Sequence, residues 1–331
     1  MKIKKKYFII IIFILAYYIT GCTSKDSNTQ KPNNPISIQT LNDKNNKNFK
    51  KTIKDTSNRD IMPGTENMKG IRSRIYNDKG EIDNKYNYSL KTDEVWEKFI
   101  AISNSTDNSS KYKLILLVDY KQCNFNVDGN PVKDYTFQMN KNETIEMPVS
   151  LNKLNEGLHD ILFLVVIDDN KSTDIRFRNT TLTCNLICFR FNIIVNNNIK
   201  IPNYNLTTFK QQDLKDKFNG IILNKNESDA NYWFLENATS QKTIQFYNHF
   251  GNSDFEQAQK YAVITFSDWK QLGLGTFIEV NKGKQVTVPS SVKLTKGIHN
   301  LNSILILNPY EKLSNYNNQV FISARVGLNV K

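Results

Sequence analysis

Every residue from Ile161 to Ile167 is apolar, and the stretch from Leu301 to Leu307 repeats the pattern with only Asn302 and Ser303 interrupting it. Both runs are short, rich in β-branched residues and entered through a glycine, which predicts buried strands rather than helices. Each is announced by the same motif, Leu154-x-x-Gly157-x-His159 and, 140 residues later, Leu294-x-x-Gly297-x-His299. The remaining apolar positions also fall in short runs bounded by Asn, Asp, Gly and Pro. They predict strands at 86–90, 97–103, 112–119, 135–139, 143–148, 159–167 and 183–195. A second series follows at 232–235, 242–248, 261–268, 276–280, 285–289, 299–307 and 319–330. One stretch has a helical period: Leu206, Phe209, Leu214 and Phe218, with Thr207 placed to cap it and Gly220 just beyond.

Two copies of a motif imply two copies of a domain. Further correspondences run in chain order: Asn104 with Asn248, Lys111-Tyr112 with Lys260-Tyr261, and Asp119-Tyr120-Lys121-Gln122 with Asp268-Trp269-Lys270-Gln271. Pro148 then matches Pro289, and Arg190 matches Arg325. The offsets change only in polar stretches, as duplication of one fold leaves behind. The repeats run from 70 to 200 and from 220 to 331, with residues 201–219 as a linker holding the short helix. Many short strands in each, with no sustained helical period, predict an all-β chain of two tandem β-sandwich domains.

Strand alternation assigns faces. Ile115 and Leu117 stay apolar in the second copy as Ile264 and Phe266, while Leu116, Val118 and Tyr120 become Thr265, Ser267 and Trp269. The core is therefore expected on the first set. That leaves Tyr120 and Trp269 on the polar face, where an exposed ring can stack on a sugar or partner side chain. Closure of a sandwich edge, or packing against the neighbouring repeat, is the plainer reading of Trp269. Arg190 and Arg325 lie opposite Ile187, Phe189, Phe191 and Ile193, which points to the surface.

Composition adds limits. Hydrophobic residues make up 39% of 331, sufficient for two cores, and the formal charge is +12. Much of that charge is local: Lys2, Lys4, Lys5 and Lys6 precede an apolar run, and residues 23–69 carry nine basic against five acidic side chains. From 70 to 331 the count is 31 basic against 27 acidic. So balanced a pair of domains lacks the basic stripe of a nucleic-acid binder.

Residues 1–21 have a basic start, an apolar stretch from Tyr7 to Ile19 and a small-residue end, the pattern of an export signal. The stretch is short against the roughly 20 residues that span a bilayer. Ile19-Thr20-Gly21-Cys22 resembles the lipobox of bacterial lipoproteins, although Ile19 stands where that family usually has Leu. The resemblance implies that Cys22 becomes the acylated first residue of the mature chain, held to the outer face of the plasma membrane; two acyl chains suffice for stable attachment. Residues 22–69, rich in Asn, Lys, Ser and Thr, have almost no apolar periodicity and are expected to form a tether. Its reach is on the order of 35–40 Å.

The glycine-histidine corner resembles the turn before strand F of immunoglobulin-like and fibronectin-III-like sandwiches. There an aromatic, usually Tyr, hydrogen-bonds back to the corner backbone. The resemblance implies a structural role for Gly157, His159, Gly297 and His299, with histidine in place of tyrosine. The inter-sheet cysteine pair of such folds is absent, and the fold implies no activity.

No catalytic motif accompanies this architecture. G-x-S-x-G, H-E-x-x-H and a phosphate-cradling glycine loop do not occur; Gly273-Leu274-Gly275 reads as a turn. His159 and His299 are a domain apart by repeat and His249 lies in a separate loop, so no shared metal site is expected. Asp168, Asp169, Asn170 and Asp174 are oxygen ligands of the kind calcium takes, but the second copy has Asn308-Pro309-Tyr310-Glu311 there, and solvated loop charges are the expectation. Cys184 and Cys188 on one strand would lie roughly 13 Å apart, beyond disulfide reach. A bridge from Cys123 to either stays open beside free thiols. The expectation is a non-enzymatic, lipid-anchored protein, without cofactor, that binds or assembles at the cell envelope. Its alternative is a cell-wall glycan binder using Trp269 and Tyr120.

Overall fold

The computed structural model describes residues 38–40, 70–167, 186–214, 220–228 and 233–331. Every regular element among them is a β-strand, and each repeat builds one sandwich of immunoglobulin-like type. In the first repeat an outer sheet runs, in order, Ile71–Tyr76, Glu97–Asn104, Glu143–Leu151, Phe125–Val127 and Asn130–Val132. Ile38–Thr40 pairs parallel with the Glu143–Leu151 strand. The inner sheet runs Asn87–Leu90, Leu186–Val195, Gly157–Ile167 and Ser110–Val118, and the last of these also carries Lys121–Cys123 and Asp134–Met139.

The second repeat follows the same plan. Its inner sheet runs Leu235–Ala238, Val326–Val330, Gly297–Leu307 and Gln259–Ser267, with Lys270–Gln271 and Thr276–Val280 on the far side. Its outer sheet runs Gln212–Asp213, Lys284–Lys293, Thr243–Gly251 and Ile221–Asn224. The final strand differs between copies: Leu186–Val195 is continuous, whereas Val320–Ile322 and Val326–Val330 are separate segments.

The two inner sheets pack on each other. Ile115, Leu117, Leu162, Leu164 and Val166 of the first repeat form one buried cluster with Ala262, Ile264, Phe266, Ile304 and Ile306 of the second. The opposite faces of the same strands fill the sandwiches themselves, with Leu114, Leu116, Phe163 and Phe191 in the first and Tyr261, Val263, Leu305 and Leu307 in the second. Four sheets are therefore stacked in sequence, outer, inner, inner, outer. Strands buried on both faces read as continuous apolar runs instead of alternating ones, which is the physical origin of the unbroken stretch 161–167.

Three expectations are corrected. The set Ile115, Leu117, Ile264 and Phe266 faces the other repeat and not the sandwich interior; both sets are buried, so alternation alone could not rank them. The helix expected from Leu206 to Phe218 is not formed over the described residues, 201–214. That segment is extended along the Thr276–Val280 edge: Leu206 bridges Phe277, Thr207 N–H donates to Phe277 O at 2.7 Å, and Gln212–Asp213 pairs with Gln285 and Lys284. Phe209 packs on the second core and Tyr204 on the cluster between the repeats, whereas Leu206 stays exposed. Finally, Arg190 and Arg325 are 6% and 8% exposed, not surface residues: Arg190 reaches carbonyls of the other repeat, and Arg325 is bound by Asn300.

Candidate functional site

The corner motif is positioned by a hairpin two strands away. Val118 pairs with Lys121 and Ser267 with Lys270, leaving two-residue loops, Asp119-Tyr120 and Asp268-Trp269. All four loop residues have positive φ, between 48° and 65°, the left-handed pair that matches strand twist in a two-residue turn. Such a turn frees the aspartate to point along the sheet. Asp119 accepts from His159 Nδ1 at 2.7 Å and from the Asp160 N–H at 3.0 Å, while Asp119 N–H donates to Asp160 O at 2.9 Å. In the second copy Asp268 does the same for His299 at 2.6 Å and for the Asn300 N–H at 2.9 Å.

Each imidazole also reaches back through Nε2 to the carbonyl four residues earlier, Asn155 O and Thr295 O, both at 2.9 Å. The corner histidines thus bind their own backbone in the way the sandwich resemblance implies. Burial disfavours charge on His159, but the hydrogen bond to Asp119 and its negative charge outweigh that, and the pKa is raised. Gly157 and Gly297 precede these rings at φ 131° and 144°, backbone that side-chain-bearing residues rarely adopt.

Tyr120 and Trp269 are 4% and 3% exposed and belong to the cluster between the repeats, so the plainer reading of Trp269, packing against the neighbouring repeat, holds and the exposed polar-face reading does not. Alternation fails here because both lie in the turn, not the strand. Tyr120 sits edge-on to Phe277 and Tyr310 of the second repeat, and its hydroxyl donates to Asp160 Oδ2 and accepts from Tyr310 N–H at 3.2 Å. Arg190 completes this buried cluster: Nη2 lies 2.5 Å from Asp160 Oδ2 and Nε lies 3.0 Å from Asp160 Oδ1. Its remaining N–H groups donate across to Leu307 O at 2.5 Å and Asn308 O at 3.0 Å. Burial and the charge of Asp160 push the Tyr120 hydroxyl well above its usual pKa, so it stays a neutral donor. In the second copy Arg325 Nε donates to Asn300 Oδ1 at 3.0 Å, with an uncharged amide in place of the carboxylate.

The repeats also exchange main-chain contacts through equivalent glutamines. Gln122 N–H donates to Gln271 Oε1 at 2.7 Å and Gln271 N–H to Gln122 Oε1 at 3.0 Å. Their amides donate to Trp269 O at 3.3 Å and Tyr120 O at 2.9 Å respectively. Residue i touching j while the equivalent of j touches the equivalent of i is the reciprocity of a two-fold axis. Asp119, Asp160, Gln122 and Gln271 were not singled out as site residues from the sequence. Their signal was retention of D-x-K-Q in both copies, and a carboxylate opening an otherwise apolar strand.

Cys123 and Cys188 are free thiols. Burial raises both, Cys188 to about 12. Cys22, Cys184 and the Asp168–Asp174 loop lie outside the described residues. Among the described residues no group of His, Cys, Asp or Glu side chains is placed to hold a metal, and no helix is long and apolar enough to cross a membrane.

One open groove of about 920 Å³ lies on the first sandwich, between the Ile71–Tyr76 edge and the start of the Leu186–Val195 strand, with Asn315, Asn318 and Val320 at its end. Ile187 and Phe189 line it from the inner sheet, and Arg72, Arg74 and Lys85 add positive charge. The carboxylate beside them, Asp83, is engaged by Lys98 at 3.0 Å.

No protein-family model matches the chain, and no curated protein matches it. Similar solved structures include the crystal structure of red sea bream transglutaminase, at 11% identity and a TM-score of 0.24 over 79% of this chain. That match spans only 31% of the transglutaminase, about a third of its length. Another is the CARDB domain of a Pyrococcus furiosus protein in complex with di-metal ions, at 12% identity and a TM-score of 0.26, covering 41% of this chain and 100% of that domain. Neither likeness carries an inference about activity or metal binding, and the fold of this chain rests on its own strand order: tandem β-sandwiches joined through their inner sheets.

Proposed function

We propose that this is a non-enzymatic lipoprotein, anchored through acylated Cys22 to the outer face of a plasma membrane, which presents two rigidly joined sandwiches for binding or assembly at the cell envelope. The anchoring half is supported by Ile19-Thr20-Gly21-Cys22 behind a basic and apolar start. The observation that carries the non-enzymatic half is that the ionisable groups between the repeats and at the two corners are occupied. Asp160, Arg190 and Tyr120 satisfy one another and the second repeat's backbone, and both corner histidines are held at both nitrogens. Groups so occupied act as structural cement and have no open position for a substrate. With Tyr120 and Trp269 buried, a glycan reading built on those rings has no exposed aromatic face to use.

Metabolic labelling with a palmitate analogue tests the anchor. Wild-type chain should carry label and partition with membranes, and Cys22→Ala should be unlabelled. An exported chain with Cys22 intact that is soluble and unlabelled would remove the anchor from the reading.

A further inference from the structure

We propose that the groove on the first sandwich binds an extended, acidic peptide of a partner protein by adding it as a strand to the free edge of residues 186–190. Asn87–Leu90 pairs parallel with this strand only from Asn192 to Val195. Asn192 N–H donates to Tyr86 O at 2.7 Å, and the register with Gly157–Ile167 is regular from Leu186 to Val195. Main-chain groups alternate sides along a strand, so those of Cys188 and Arg190 point the same way as those of Asn192, into the groove. Among the described residues none pairs with this edge, because residues 83–86 cross over from the outer sheet, where Asp83 N–H donates to Ile75 O at 2.8 Å.

The opposite wall is already capped. Gly70 and Ser105 exchange hydrogen bonds, which turns the groups of Ser73 and Ile75 outward, and their carbonyls accept from Arg74 at 2.8 Å and from Asp83 N–H. One docking edge therefore faces one protected edge. At the equivalent place the second sandwich is tighter: a Cβ on Gly220 would lie 3.9 Å from the Phe321 side chain, whereas one on Gly70 would meet nothing within 4 Å. Main-chain pairing gives such a site its affinity and alternate side chains give it selectivity. Here Ile187 and Phe189 offer apolar contact, while Arg74 and Lys85 beside the engaged Asp83 select carboxylates. The tether of this chain, with nine basic against five acidic residues, has the wrong sign.

This deepens the binding half of the proposed function and is independent of the anchor, so acylated chain that fails the peptide test would sink the groove alone. The chain from Thr23 onward is titrated with a fluorescent peptide of alternating Val and Glu, about eight residues long. Controls are a Val-Lys peptide and a Val-Glu peptide N-methylated at alternate positions. The Val-Glu peptide should bind at least about tenfold more tightly than either control, and the amides of Cys188 and Arg190 should exchange hydrogen about tenfold more slowly when it is bound. Cys188→Pro should abolish binding. Should that variant not fold, Lys85→Glu with Arg74→Glu should reverse the preference between Glu and Lys peptides. Equal affinity for the two charges, indifference to N-methylation, protection at another edge, or no binding by any peptide would each overturn the proposal. So would amides of Cys188 and Arg190 already protected in the peptide-free chain, since a segment of the chain itself would then fill the slot.

Discussion

Gly157 and Gly297 hold the same place in the two corners but are not equally constrained. Both have positive φ, worth about 1–3 kcal/mol of strain once a side chain is added. At Gly157 a Cβ would also stand 2.9 Å from Lys200 O, whereas at Gly297 its nearest neighbour is His299 Nε2 at 3.5 Å. Gly157→Ala should therefore destabilise more than Gly297→Ala in urea unfolding, and equal losses would show that the clash with Lys200 is relieved at no cost. His159 gives a pH dependence. Its folded pKa is raised, so its stabilisation is complete below the unfolded value of about 6.5 and is lost as pH rises through the folded value. The stability gap between wild type and His159→Asn should be widest on the acid side and narrow toward alkaline pH. A gap widening with pH would mean that the neutral ring is the one the corner favours. These corners were legible in the sequence because they recur. The positions of Tyr120 and Trp269 were not, since reading alternation through Asp119 and Asp268 assumes a strand where the backbone reverses in two residues.

Strands were legible wherever a run was bounded by turn residues, and strand 276–280 was placed at its observed ends. Edge strands such as Ile71–Tyr76 and Ile221–Asn224 escaped because one is half arginine and serine and the other is four residues long. The linker misled for a related reason: Leu206 and Phe209 are three apart, but the segment is extended on a sheet edge, where Phe209 packs on the second core and Leu206 stays exposed. Arg190 looked superficial because a lone cation on an apolar strand usually is. Its burial makes Asp160 consequential. Asp160→Ala leaves a guanidinium enclosed without its charge partner and should cost about 3–5 kcal/mol by equilibrium unfolding. Asp160→Asn should cost less, because an amide oxygen can still accept from Arg190, as Asn300 does from Arg325. If the two substitutions cost the same, the negative charge and not the acceptor is what the cluster needs.

At the scale of the molecule the repeats were legible, but their face-to-face packing was not, because a sequence with two apolar faces per strand does not say which face meets which partner. The reciprocal glutamines provide a measure of that packing. Each side chain accepts from the other glutamine's main-chain N–H, so loss of one lets the seam relax around the other, and the effects of Gln122→Ala and Gln271→Ala should not add. A double-mutant cycle should give a coupling of about 1 kcal/mol. Additive losses would place the two side chains in separate environments.

The cluster shared between the inner sheets also limits what evolution or an engineer can do with either half. Tandem domains strung on a loose linker can be shuffled, duplicated again or traded for unrelated neighbours, since each covers its own apolar surface. Here Leu162, Leu164, Ile304 and Ile306 are dry only because the other repeat lies on them. A donor module inserted in place of one repeat would have to carry a matching oily sheet, so this pair is inherited as a single unit.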